Sequence, residues 1–231
     1  MSDEITASVR TIAIAGGTGK EGKGLAYRWA KAGYQLIIGS RQLEKAQAAA
    51  NDLNQLLKDS SKVTGMVNEE AVKQADLVVL TVPFSAHIPT LQGLKEALKG
   101  KILVDVSVPL VPPKVTRVQM PPAGSAALEA KQVLGEDARI VSAFQNISYE
   151  HLLNDEEITC DVLVTGTDKE ARLIVLKLIA DAGMIGWDAG PLENSIVQEG
   201  LTSILIGINK QFGIQSAGIQ ITGVARNGSS G

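Results

Sequence analysis

The chain of 231 residues has one cysteine, two histidines and only 3% aromatic residues. A single thiol, Cys160, excludes an internal disulfide framework and suits a reducing compartment, so a cytoplasmic location is expected. His87 and His151 stand far apart, with no cysteine or carboxylate cluster at ligand spacing, so no metal site is expected. The scarcity of rings argues against a base-stacking platform. Positive charge is not in excess either: the formal net charge is −3, whereas nucleic-acid binders show a basic face. No apolar run approaches the roughly 18 residues of a membrane helix. The longest candidate, "LTSILIGI" (201–208), is far too short. The opening "MSDEITASVR" is polar and acidic, which predicts no leader peptide. There is no internal repeat.

What remains is a globular composition, 45% hydrophobic and 20% charged, sufficient for one core or for a large domain plus a small one. The first two-thirds alternate. "RTIAIAG", "YQLIIGS", "KVTGMV", "DLVVLTVP" and "KILVDVSVP" read as buried strands. Helical patterns separate them. Leu25, Trp29 and Ala32 share one face of the first helix, and Leu53, Leu56 and Leu57 the apolar side of the second. Continuous apolar strands spaced by helices predict a doubly wound Rossmann-type α/β fold, a parallel sheet covered on both faces. The stretch 108–125 holds five of the eight prolines and is a loop. "SAALEAKQVLG" resumes as a helix and "ARIVSAFQNI" as a strand. Residues 1–150 are therefore expected to form a nucleotide-binding domain. Residues 151–224 are expected to form a smaller C-terminal α/β domain, and 225–231 a disordered tail.

Gly17-Thr18-Gly19-Lys20-Glu21-Gly22 fits G-x-G-x-x-G between a predicted strand and a predicted helix. The first glycine permits the tight turn, the second lets a pyrophosphate approach the backbone, and the third lets helix and strand pack closely. The helix N-terminus offers unpaired N–H groups and a positive dipole end to phosphates.

The next strand ends in "IIGSR", with Ser40-Arg41 where an NAD enzyme places a carboxylate for the ribose hydroxyls. A carboxylate would repel the extra phosphate of NADP; an arginine binds it. Arg41 lies 19 residues beyond Gly22, and Lys45 follows one helical turn later. Ser40, Arg41 and Lys45, with Thr18 inside the turn, thus read as a clamp for the 2′-phosphate, and the cofactor as NADP(H).

No proton-transfer group stands out. His87 opens a helix and reads as a helix-start or surface residue. Tyr27 and Lys31 match a Tyr-x-x-x-Lys pair on the wrong helix and read as helix surface. Cys160 begins a buried strand and reads as packing. Glu69-Glu70 and Glu156-Glu157 read as solvated helix starts. A strong nucleotide site without an acid or base leaves a non-catalytic NADP(H) sensor, or a hydride transfer between two cofactors that carry their own electronics.

"IAGGTGKEGKGLAYRWAKAGYQLIIGSRQLEKA" resembles the opening of the NADPH-dependent reductases of the deazaflavin coenzyme F-420 (F420). The similarity continues in "VTGMVNEEAVKQADLVVLTVPF", "SAFQNISYEHL" and "DAGPLENSIVQEGLTSILIGIN", and covers nearly the whole chain. "GSAALEAKQVLG" and "AGIQITG" resemble the bacterial branch. The resemblance implies reversible hydride transfer between C5 of the deazaflavin and C4 of the nicotinamide, in a cleft beside a small C-terminal domain. It implies that Thr18, Gly19, Lys20 and Glu21 touch NADP, that Val82, Pro83 and Val108 lie at strand ends beside it, and that a backbone N–H near Tyr149 meets the carboxamide. It also implies a deazaflavin packed near Asn146, Ile147 and Thr202. On the same scaffold, the rival activity is NADPH-dependent reduction of a flavin, an imine or a carbonyl compound. The apolar helix 201–212 is expected to pair two copies into a homodimer.

Overall fold

The structure is a computed structural model, and it describes residues 9–224. The expected tail, 225–231, lies outside the described residues. Six parallel strands come first: β1 (Thr11–Ala15), β2 (Gln35–Ser40), β3 (Val63–Val67), β4 (Leu77–Leu80), β5 (Ile102–Asp105) and β6 (Arg139–Ser142). The helices between them are α1 (Lys20–Lys31), α2 (Leu43–Leu57), α3 (Asn68–Gln74), α4 (Phe84–Leu94) and α5 (Ala126–Leu134). After a short 3₁₀ turn at Tyr149–His151 come β7 (Asp161–Gly166), α6 (Lys169–Asp181), β8 (Ile185–Pro191) and α7 (Ser195–Phe212).

All eight strands form one sheet, in the order β3-β2-β1-β4-β5-β6-β7-β8. The C-terminal segment does not start a sheet of its own. Its strand β7 pairs antiparallel with β6, Val141 opposite Gly166, and β8 then pairs parallel with β7. The sheet is therefore mixed, although the six strands that frame the turn are parallel. Strands β1, β4 and β5 carry almost wholly buried side chains, because helices cover both faces. That covering requires runs such as Leu77–Leu80, apolar at every position rather than alternating.

The helices dock by small faces. α2 buries Ala46, Ala49, Ala50 and Leu53, and Leu57 also packs on the core. Leu56 was expected on that face but points to solvent, one position off the stripe. Trp29 on α1 is fully buried. Its ring meets Phe144 edge-on at 5.7 Å, and its Nε1 donates to the Leu178 carbonyl on α6 at 2.8 Å. One side chain thus ties the first helix to the C-terminal segment, and truncating such a residue to alanine costs about 3–5 kcal/mol.

Tyr27 departs from its surface reading. The turn at 152–155 packs over α1, so the ring is buried and its hydroxyl donates to Asp155 at 3.0 Å. Glu199 on α7 is buried as well. Its carboxylate accepts from the backbone N–H groups of Ala126 (2.7 Å) and Ala127 (3.1 Å), the open N-terminus of α5. Burial first, and then the nearby Asp105 charge, push Glu199 up to about 8 against those two donors. This contact fixes α7 against α5, beside the carboxyl ends of β5 and β6. Among the described residues no helix is long and apolar enough to cross a membrane.

Candidate active site

The strand order reverses between β1 and β4, so their following loops part and leave a crevice at the carboxyl ends of the strands. The glycine turn fills one wall. Gly17 donates its N–H to the carbonyls of Ile14 (3.1 Å) and Gly39 (3.0 Å). A methyl group on Gly17 would lie 2.7 Å from the Ile14 carbonyl oxygen, and one on Gly22 would lie 2.6 Å from the Cα of Gly17. Both glycines are needed by the protein's own packing. Gly19 differs: a methyl there would meet nothing within 4 Å, and its φ of −75° suits any residue. Nothing in the protein requires a glycine at that spot, which leaves its bare backbone free for a ligand.

Asn68, at the start of α3, braces the turn from below. Its Oδ1 accepts from the Gly16 N–H at 3.1 Å. A methyl on Gly39 would lie 2.7 Å from the same oxygen. The sequence reading missed Asn68. Its signal was the glycine inside "IIGSR", since glycine within a strand marks a close approach.

A cavity of about 220 Å³ joins the turn to the end of β2, lined by Thr18, Ser40, Arg41, Lys45 and Asn68. A second, of about 690 Å³, shares Gly16, Thr18, Val82 and Pro83 with it and runs on to Val108 and Val115. Together they make a trough along the carboxyl edge of the sheet. At one end Arg41 and Lys45 are exposed, and neither joins an ion pair among the described residues. Two uncommitted cations within reach of a buried serine can take a phosphate group. A further cavity, about 330 Å³, opens at the opposite, amino ends of β5 and β6. Its lysines are already engaged, Lys95 with the Val133 carbonyl and Lys101 with that of Ala75, and no glycine turn faces it.

None of the predicted second-ring residues lines either of the trough's two cavities. Asn146 is buried, its Nδ2 donating to the Gln198 carbonyl (2.9 Å) and to Thr202 Oγ1 (3.3 Å). Thr202 donates to the Gln145 carbonyl at 2.8 Å. The Ile147 side chain packs into the core. Tyr149 stands under Lys20, whose ammonium is 4.6 Å from the ring centre and 3.8 Å from Glu150. That pairing ties the start of α1 to the segment after β6.

Two groups contradict the impression that no acid or base is near. His87 is not on the surface. It is fully buried, its Nε2 2.7 Å from Asp105 Oδ2, while Asp105 Oδ1 accepts from the Ser107 N–H. Burial opposes charge on the ring, but the carboxylate beside it wins and raises His87. The pair pins the first turn of α4 to the end of β5, flanking the trough. Glu21 lines the larger cavity itself, and burial pushes its carboxyl up to about 8. Spacing alone could not show either group, because their surroundings come from distant parts of the chain.

The architecture is that of a dinucleotide-binding Rossmann-type protein. The family described as NADP oxidoreductase coenzyme F420-dependent matches residues 11–109. An F420-dependent NADP reductase of Methanocaldococcus jannaschii is 42% identical over 219 residues, covering 91% of this chain and 97% of that protein. One from Methanothermobacter marburgensis is 38% identical over 218 residues, with the same coverage. The crystal structure of a putative F420-dependent NADP reductase from Arthrobacter sp. FB24 superposes with a TM-score of 0.74 at 23% identity, covering 90% of this chain and 96% of that one. The chain belongs to the F420-dependent NADP reductase family.

Proposed function

We propose that the trough holds NADP(H) and that the protein exchanges a hydride between it and the deazaflavin F420. The reading rests on similarity along nine-tenths of the chain, joined to a trough that begins at two uncommitted cations. When both are bound, the dihydronicotinamide supplies a hydride and the deazaflavin ring accepts it. The protein's task is then to align two rings and exclude water.

Each segment has its part in that task. Gly17, Gly19 and Gly22 shape the turn, and the free N–H groups at the start of α1 receive the pyrophosphate, beside Thr18 and Lys20. Ser40, Arg41 and Lys45 hold the 2′-phosphate. Val82, Pro83 and Val108 wall the nicotinamide. Asn146, Ile147, Tyr149 and Thr202 border the deazaflavin, with backbone groups serving where Ile147 itself is buried. Residues 151–224 form a small unit joined through β7 and bring Thr202 to that second side. Binding tests the reading: dihydronicotinamide emission should report NADPH binding at least about tenfold tighter than NADH, one charge-assisted contact's worth. Equal affinities would overturn the clamp.

The protein acts in the cytoplasm as a homodimer on this reading. Val197, Ile204, Ile208 and Phe212 fall on one side of α7, and Val197 and Phe212 are both 67% exposed. An apolar stripe of this kind is stable in water when a second copy covers it. Sedimentation at micromolar concentration should give about twice the chain mass, with Ile204→Asp returning it to a monomer. A wild-type monomer would remove the dimer from the account.

A further inference from the structure

Hydride exchange of this kind does not leave protons untouched. The C4–H bond of the dihydronicotinamide breaks, its electron pair leaves with the hydrogen, and the ring becomes a cation. The acceptor forms a C–H bond and needs one proton on a ring nitrogen to end neutral. One proton is therefore consumed for each hydride that leaves NADPH, and one is released in the reverse direction.

Glu21 is the only acid or base among the residues lining the larger cavity. It stands in the first turn of α1, facing Val82, Pro83, Ser107 and Val108 across that space. Its Oε1 is closed off from solvent and has no hydrogen-bond partner. A carboxylate in that position would hold its Oε1 charge out of water beside the seat of a pyrophosphate.

No neighbouring charge alters this. On α1 itself, Lys20 turns to Tyr149 and Glu150, and Lys23 pairs with Asp52. The loop between β4 and α4 brings no ionisable residue to the cavity, and behind it His87 and Asp105 are engaged with each other. On the loop after β5, Lys114 and Arg117 are exposed and do not line the cavity. Burial is the sole cause that raises Glu21, to about 8, so the free acid predominates at neutral pH.

We propose that Glu21 is the proton-carrying group of the nicotinamide pocket, protonated opposite the neutral ring of NADPH and ionised opposite the cationic ring of NADP⁺. The inference rests on the assignment of NADP(H) to the trough. As positive charge forms on the ring, the carboxyl O–H bond breaks, and carboxylate and pyridinium become an ion pair within the cavity. The released proton goes to the reduced deazaflavin, directly or through solvent, which balances the exchange.

Calorimetric titration with NADP⁺ and with NADPH, at pH 7 in two buffers of different ionisation enthalpy, tests this without turnover. Wild type should release close to one proton more on binding NADP⁺ than on binding NADPH. The 2′-phosphate is common to both nucleotides and cancels in the difference. Glu21→Gln should bind both and lose the difference. In wild type alone, the ratio of NADP⁺ to NADPH affinity should rise with pH through neutrality, by up to about tenfold per pH unit, and level off only where Glu21 ionises in the NADPH complex as well. Equal proton release by the two nucleotides in wild type, or a difference that survives Glu21→Gln, would overturn the role of Glu21 while leaving the trough assignment standing. Failure to bind either nucleotide would overturn the assignment, and the inference with it.

Discussion

Arg41→Glu should abolish the preference for NADPH over NADH. The guanidinium stands at the end of β2 with no ion-pair partner among the described residues, in a cavity that also presents Ser40, Lys45 and Thr18. A charge-assisted contact to phosphate is worth about 1.5–3 kcal/mol, or roughly 10- to 150-fold in affinity. The replacement also sets a negative charge against the 2′-phosphate, and a glutamate can accept from the ribose hydroxyls of NADH. The two changes add, so the ratio of affinities should move by about two orders of magnitude or more. Because the site is exposed, the effect should shrink as ionic strength rises. An unchanged ratio at low salt would remove Arg41 from the clamp.

Gly19→Val should empty the site while leaving the fold intact. The added side chain meets no protein atom within 4 Å of its Cβ, and the backbone there needs no glycine. Gly19 is the N-cap of α1, where valine is a poorer cap than glycine, so stability should fall by no more than about 1 kcal/mol. The branch stands where the pyrophosphate must approach the N–H groups of α1. Losing two charge-assisted hydrogen bonds removes about 3–6 kcal/mol of binding, more than a hundredfold. Gly22→Val is the control. It would clash with Gly17 and Thr81 and should destabilise the protein itself. Normal NADPH affinity in a folded Gly19→Val variant would contradict the assignment of the turn.

Most of what depends on neighbours in sequence was readable from the sequence, Leu56 on α2 excepted. β1, β4 and β5 announce themselves as apolar runs because both of their faces are covered. The glycine spacing and the Ser40-Arg41 strand end are local chemistry, and the fold brings them to one cavity. What stayed hidden depends on chain segments far apart. His87 looked like a surface residue because Asp105, its partner, arrives on another strand. Tyr27 looked exposed because the turn that covers it lies 128 residues on, at Asp155. "CDVLVTG" was rightly a strand, but its antiparallel seat on β6 comes from the chain's path after residue 142, which no apolar pattern encodes. The raised carboxyl of Glu21 belongs to the same class, since residues from the loops after β4 and β5 line the cavity it shares.

The most direct test of the account mixes the purified protein with NADPH and oxidised F420 and follows the deazaflavin's visible absorbance. The same assay is run with NADH as donor and with FMN as acceptor. The account predicts rapid bleaching with NADPH and F420, little with NADH and little with FMN. Tight NADPH binding without any bleaching of F420 would contradict it.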